Sequence, residues 1–236
     1  MLNVMVLNIQ PKWEKSLRWL MKEVEAQIEN SMAMGWSKEK LLIVTNHPFE
    51  HEGATILLRD LNDFCPTGSK TFGAEILFKE GLITETTWLH DTDCWQTMLF
   101  DPPEFLDAGA VRYIGRFNGG SIFLKPSAVD IVIETADKIR ETQSRKEEPC
   151  IRKVWGQHKD RITRLNSTWN VGSNKFERRR REAEKPIRVV HLHPDKKRMR
   201  RKFMPVIPGT NLKEIFMKHW PEAGWSTQTD FGGDGL

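Results

Sequence analysis

The chain is poor in the devices that stabilise or anchor unusual proteins. It has three cysteines in 236 residues (Cys65, Cys94, Cys150). Widely spaced and odd in number, they argue against both a disulfide framework and a zinc ribbon. No apolar run approaches the roughly 18–20 residues of a membrane helix. The N-terminal "MLNVMVLNIQ" lacks the basic start and small-residue cleavage site of a secretory leader. No internal repeat is present. The expectation is a protein of a reducing, cytoplasmic compartment, with no transmembrane segment.

What is present is an ordinary globular composition, 39% hydrophobic and 29% charged, with a mean hydropathy of −0.53. The length suits one sizeable core. The net charge of +4 hides an asymmetry, because residues 145–202 hold 20 Lys/Arg against 7 Asp/Glu and leave the rest of the chain acidic. The basic third contains "FERRRREAEK" and "PDKKRMRRK". Such polarity points to a polyanionic partner, a nucleotide diphosphate, a nucleic acid or both, although each basic run reads equally well as a solvated face.

The hydrophobic pattern alternates between strand and helix through the first 140 residues. "NVMVLNI" (3–9), "KLLIVTN" (40–46) and "TTWLH" (86–90) read as strands. Helices are expected over 12–35, over 72–83 with Gly81 as stop, and over 127–143. "GAVRYIG" and "GSIFLKPS" are further strand candidates. After Glu147 the pattern turns short, polar and basic, with a strand at "IRVVHLH" (187–193) and a helix at 211–220. This alternation predicts an α/β domain with a mostly parallel sheet and its sites at the carboxyl ends of strands. One domain over residues 1–225 is expected, followed by a mobile Gly-rich tail, 226–236.

Against that frame "WLHDTD" stands out, with Asp91 and Asp93 at the end of a buried strand. Two short carboxylates at i and i+2 around a turn can hold a hard cation such as Mg²⁺ or Mn²⁺ and bridge it to a diphosphate. The competing reading is an Asx-turn that satisfies backbone N–H groups.

Three further segments accompany the acids in order: "RFNGGSIFLKPS" (116–127), "EEPCIRKVWGQHKDRITRLNSTWN" (147–170) and "VVHLHPDKK" (189–197). Together the four segments resemble the glycogenin-like glycosyltransferases, family 8 of the GT-A fold. That family has an Asp-x-Asp after a hydrophobic strand, an "FNAG" strand, an acidic pair followed by "Leu-x-x-x-Trp-Asn", and His-x-x-Gly-x-x-Lys. Two of these segments depart from the family's pattern. Glu147-Glu148 stands where the family has Asp-Gln, and Pro194 replaces the glycine.

The resemblance implies a Rossmann-like, mostly parallel central sheet flanked by helices. It also implies transfer of a sugar from a nucleotide-diphosphate sugar with retention, dependent on Mn²⁺ or Mg²⁺. By analogy Asp93 and His191 would be metal ligands. His193, on the same strand face, is the alternative to His191. Asp91 would contact the metal, directly or through its water, or the donor ribose. Lys197 would neutralise the leaving diphosphate, and Asn118 would bind the donor sugar or the acceptor. Glu148, or else Glu147, would be the carboxylate on the sugar face, with Trp169 and Asn170 shaping the acceptor side.

The basic third predicts a polyanionic acceptor. One candidate is a hydroxymethylated base in DNA, as in bacteriophage glycosyltransferases acting in the host cytoplasm; the other is an anionic glycan. Two rival classes remain open on the sequence. A metal-dependent phosphoesterase or nuclease would use the acids and the His strand. A non-catalytic nucleic-acid-binding protein would need only the basic clusters.

Overall fold

The computed structural model describes residues 1–10, 14–61, 65, 69–113, 116–172, 176–192 and 211–221, and the side chains of these except 14–16 and 176–177. His193, Lys197 and the tail therefore lie outside the described residues.

The strands are β1 (Leu2–Leu7), β2 (Leu41–Thr45), β3 (Thr55–Leu58), β4 (Thr87–His90), β5 (Cys94–Gln96), β6 (Ala108–Tyr113), β7 (Arg116–Leu124), β8 (Ile162–Leu165), β9 (Val171–Gly172) and β10 (Val189–His191). The α-helices are α1 (Glu14–Ala33), α2 (Ser69–Lys79), α3 (Val129–Thr142), α4 (Glu148–Gln157), α5 (Phe176–Glu182) and α6 (Leu212–His219).

Seven strands form one sheet in the order β3-β2-β1-β4-β7-β6-β8. Its neighbours are parallel except that β7 runs antiparallel to both β4 and β6. The expected mostly parallel α/β sheet flanked by helices is therefore the observed one. Strands buried on both faces should be continuously apolar, and every residue of β2 and β4 is buried. Alternation along β1 and β2 sends Leu2, Val4, Leu42 and Val44 to the layer containing Leu77, Ile131 and Val154 of α2, α3 and α4. Met5, Leu7, Leu41 and Ile43 meet Val24 and Ile28 of α1 on the other face. Helix α2 lies close on β1 because Gly73 presents no side chain there; a Cβ would stand 2.5 Å from Val6 Cγ2.

A second sheet has the order β5-β10-β9. Its core joins Trp95, Val171 and Val190 to Phe216 and Trp220 of the α6 region. The chain thus leaves the large sheet at His90 and enters the small one at Cys94, with Asp91-Thr92-Asp93 as the bridge.

The structure adds elements that periodicity does not announce. Helix α4 lies where only a polar, basic pattern was expected. Its buried Cys150, Ile151, Val154 and Trp155 have helical spacing but are separated by Arg152 and Lys153, and Pro149 occupies its first turn, where proline is tolerated. Strands β3, β5, β8 and β9 have two to four residues, too short for a visible period of two.

The end of β4 is fixed by His90. Its ring stacks on Trp88 with centroids 3.8 Å apart. Its two ring nitrogens each face a carbonyl oxygen, Nδ1 at 2.9 Å from the Asp91 carbonyl and Nε2 at 2.7 Å from Asn3 Oδ1. Burial depresses the His90 pKa to about 4, from an ordinary 6.5. A proton therefore binds the unfolded chain first, and stability is lost as pH falls from 6.5 toward 4, by up to about 3 kcal/mol. Urea denaturation across this range should show that decline, and His90→Gln should flatten it while lowering stability at neutral pH.

Candidate active site

Asp91 and Asp93 are positioned from three sides. On one side β7 pairs with β4, His90 opposite Ser121, and the Asp91 N–H donates to the Gly120 carbonyl at 2.9 Å. On another, β10 pairs with β5 with His191 opposite Cys94, and the Leu192 N–H donates to the Asp93 carbonyl at 2.8 Å. From beneath, α1 supplies polar side chains. Gln27 Nε2 donates to the carbonyls of Thr92 and Cys94 at 2.7 and 2.8 Å, and Thr92 Oγ1 donates to Glu23 Oε2 at 2.9 Å. Within the bridge, the Cys94 N–H donates to the Asp91 carbonyl at 3.0 Å. The segment is therefore both a turn and a convergence point for acids.

His191 comes to Asp93, with Nε2 3.0 Å from Oδ1. Burial disfavours charge on this imidazole, but the Asp93 carboxylate outweighs it and holds the pKa well above the ordinary histidine value. Cys94 completes a cluster whose ligand atoms all lie within 4.8 Å of one another. Burial pushes its thiol up to about 11.

On the other side of the mouth sits Lys70, a residue that belongs to no motif. Its Nζ lies 2.5 Å from Asp91 Oδ1 and 3.3 Å from Glu147 Oε1, and the Lys70 and Glu147 side chains are each only 6% exposed. Thr71 Oγ1 donates to the other Glu147 oxygen at 2.9 Å. Burial works against the ammonium, but the two carboxylates outweigh it and raise the Lys70 pKa above the lysine range. Burial likewise pushes the Glu147 carboxyl up, with Lys70 pulling the other way. Of the acidic pair, then, Glu147 turns inward, whereas Glu148 is exposed in the first turn of α4.

The "FNGG" segment is the N-terminal half of β7. Asn118 Oδ1 accepts from the Gly120 N–H at 3.0 Å and from Asn170 Nδ2 at 2.6 Å, so Asn118 and Asn170 are brought together. Trp169 instead packs edge-on against Phe100 and Phe123. Both glycines make room for side chains of the mouth. A Cβ on Gly119 would stand 2.8 Å from Glu147 Oε1, and one on Gly120 would stand 2.5 Å from His191 Nδ1.

The basic third reaches the mouth through α5. The Arg179 guanidinium lies over the Tyr113 ring, 3.4 Å from its centroid. Arg179 Nη1 would be 2.3 Å from a Cβ on Gly172, and Gly172 pairs with His191.

Gly120→Ala is expected to displace His191 from Asp93, costing about 1–3 kcal/mol of stability. It should also abolish any Mn²⁺-induced rise in melting temperature that the wild-type protein shows, as differential scanning fluorimetry would report.

No protein-family model and no curated protein matches the sequence. Solved structures do match the fold. An active-site mutant of LgtC superposes with a TM-score of 0.60 at 12% identity, covering 94% of this chain and 100% of that one. A galactosyltransferase LgtC with donor and acceptor sugar analogues gives 0.56 at 13% identity, with the same coverage. The glycosyltransferase GlyE of Streptococcus pneumoniae gives 0.56 at 12%, covering 98% of this chain and 66% of GlyE. The chain spans less than two thirds of GlyE and about half, 51%, of the bifunctional WbbM. These likenesses show that the chain has the GT-A fold. Among the described residues, no helix is long and apolar enough to cross a membrane.

Proposed function

We propose that this protein is a metal-dependent glycosyltransferase that moves a sugar from a nucleotide-diphosphate sugar to an acceptor, with retention, as a member of the glycogenin-like family 8. The observation that carries the reading is the convergence, on one mouth of a GT-A sheet, of Asp91, Asp93, His191, the "FNGG" strand and the Lys70–Glu147 pair. A phosphoesterase needs only the acids and the histidine and leaves the other two features without a use.

The residues present fit a divalent cation: carboxylate, imidazole and thiol atoms cluster where the "HDTD" bridge ends. When bound, the cation supplies positive charge to the leaving diphosphate. Asp91 and Asp93 face the donor, Asp91 turning one oxygen to Lys70 and keeping a side chain 40% exposed for a ribose hydroxyl or a metal-bound water. Glu147, held by Lys70 and Thr71, is the carboxylate that would stabilise positive charge developing on the sugar ring. Asn118 has its carbonyl oxygen occupied, so it would offer its amide N–H groups to donor or acceptor. Lys197 would be a further cation for the diphosphate.

The acceptor we propose is anionic, because a guanidinium of α5 lies against Gly172 of β9, the residue that pairs with His191. A hydroxymethylated base in DNA and an anionic glycan share that chemistry. A DNA acceptor would bind through its phosphates and be salt-sensitive, and a duplex base would have to flip out to be reached.

A screen of nucleotide-sugars for Mn²⁺-dependent hydrolysis should find a donor. Asp93→Ala should lower its turnover at least about a hundredfold; equal turnover by the variant would remove Asp93 from the site. In gel retardation, a DNA acceptor predicts a shift at low salt that fades as salt rises. No shift at low salt would leave the anionic glycan.

A further inference from the structure

Cys94 is the member of the cluster that an Asp-x-Asp reading does not use. It opens β5 directly opposite His191 in antiparallel register, so the two side chains share one face of the small sheet. The thiol is buried, and its sulfur lies within 4.8 Å of the ligand atoms of both Asp93 and His191. Atoms that share one cation at about 2.0–2.3 Å stand about 3–4 Å apart, and the Asp93 Oδ1 to His191 Nε2 separation is 3.0 Å. Asp91 belongs elsewhere: one of its oxygens is held by Lys70 at 2.5 Å, on the opposite side of the bridge.

We propose that the cation site of this protein is Asp93, Cys94 and His191, with the thiolate as third donor, and that it takes Zn²⁺ or Co²⁺ in preference to Mg²⁺. The proposal rests on the metal-dependent reading above and narrows its chemistry. A hard, all-oxygen pair would serve Mg²⁺ and Mn²⁺ alike. An oxygen–sulfur–nitrogen set favours cations that accept soft donors and stand later in the divalent series, so the order of affinity runs Mg²⁺ and Mn²⁺ below Co²⁺ and Zn²⁺. Coordination releases the Cys94 thiol proton to solvent, and no electron is transferred. The other two cysteines provide an internal control, since Cys65 and Cys150 pack with Phe72, Ala136 and Ile139 in a separate cluster.

The test uses the full chain, stripped with chelator and titrated with Cd²⁺ and with Co²⁺ while thiolate-to-metal charge-transfer absorption is recorded. The expected result is a saturable band at one equivalent. It should be lost in Cys94→Ser and kept in Cys65→Ser and Cys150→Ser. Zn²⁺ affinity by calorimetry should fall about tenfold or more in Cys94→Ser, with Mg²⁺ affinity unchanged. Should Cys94→Ser fold poorly, ¹¹³Cd NMR of the wild-type protein decides the matter, and a shift typical of oxygen and nitrogen donors alone overturns the proposal. It is equally overturned by bound Cd²⁺ without a band, or by a band that survives Cys94→Ser. Nucleotide-sugar turnover without a band would sink this assignment and leave the glycosyltransferase standing. A Cys94-dependent band without turnover of any nucleotide-sugar would do the reverse.

Discussion

Three carboxylates, the half-exposed Asp91 and the buried Asp93 and Glu147, are drawn to one mouth, and the rest of the site depends on how their charge is compensated. An unpaired carboxylate at such a place would take up a proton or push the structure apart. Lys70 answers for two of them, bridging Asp91 and Glu147 from the start of α2, and His191 answers for the third. The compensation is asymmetric in a useful way. An ammonium fixed between two acids is a permanent part of the protein, whereas an imidazolium can give up its proton and remain as a ligand. The Lys70 side is thus suited to orienting a carboxylate, and the His191 side to exchanging a proton for a cation.

That division follows from the fold. β4 belongs to the large sheet and β5 to the small one, so the bridge between them is addressed by side chains from both. The large sheet contributes the "FNGG" strand by pairing β7 with β4. The small sheet contributes His191 by pairing β10 with β5. The two meet at Gly120, whose missing Cβ leaves space for the imidazole, while Gly119 does the same for Glu147. Two consecutive glycines on a strand, where they weaken the element itself, are accounted for by the two side chains that pass them on either side. Helix α1 completes the frame by satisfying the carbonyls of Thr92 and Cys94 with one glutamine, which holds the bridge in place whatever binds above it.

What was legible in the sequence followed its strongest periodicities. The buried strands β1, β2 and β4 and the helices α1, α2 and α3 were readable because several apolar residues in a row or at helical spacing leave little choice. The acids at the end of β4 were readable because a polar pair directly after a buried strand has to be at a sheet edge. Helix α4 was not, because charged residues interrupt its apolar stripe. Lys70 was not, because a single lysine carries no pattern. Its role depends on α2 beginning at Ser69, three residues before the apolar stretch that suggested a helix. The difference between Glu147 and Glu148 is likewise one of direction at a helix start, which spacing alone does not encode. The pairing of His191 with Asp93 spans nearly a hundred residues; the His191 strand was readable, but its partners β5 and β9 in the small sheet are too short to announce themselves.

The basic third is not unpartnered charge throughout. Several of its cations are engaged in structure. Arg161 ties Asp107 and Asp130 together, with nitrogen–oxygen distances of 2.5 Å to each, and Arg178 pairs with Glu182 along α5. Such residues explain part of the charge without any partner. Arg179 differs in kind. It lies on the Tyr113 ring against a glycine backbone, and Tyr113 is itself fixed by donating to the Asn170 carbonyl. A guanidinium stacked on an aromatic face keeps its N–H edge available for a planar or tetrahedral anion. Among the described residues of the basic third, Arg179 is therefore a group oriented for the anionic acceptor proposed above, against β9, the neighbour of the His191 strand, and the local excess of positive charge adds long-range attraction to it rather than recognition.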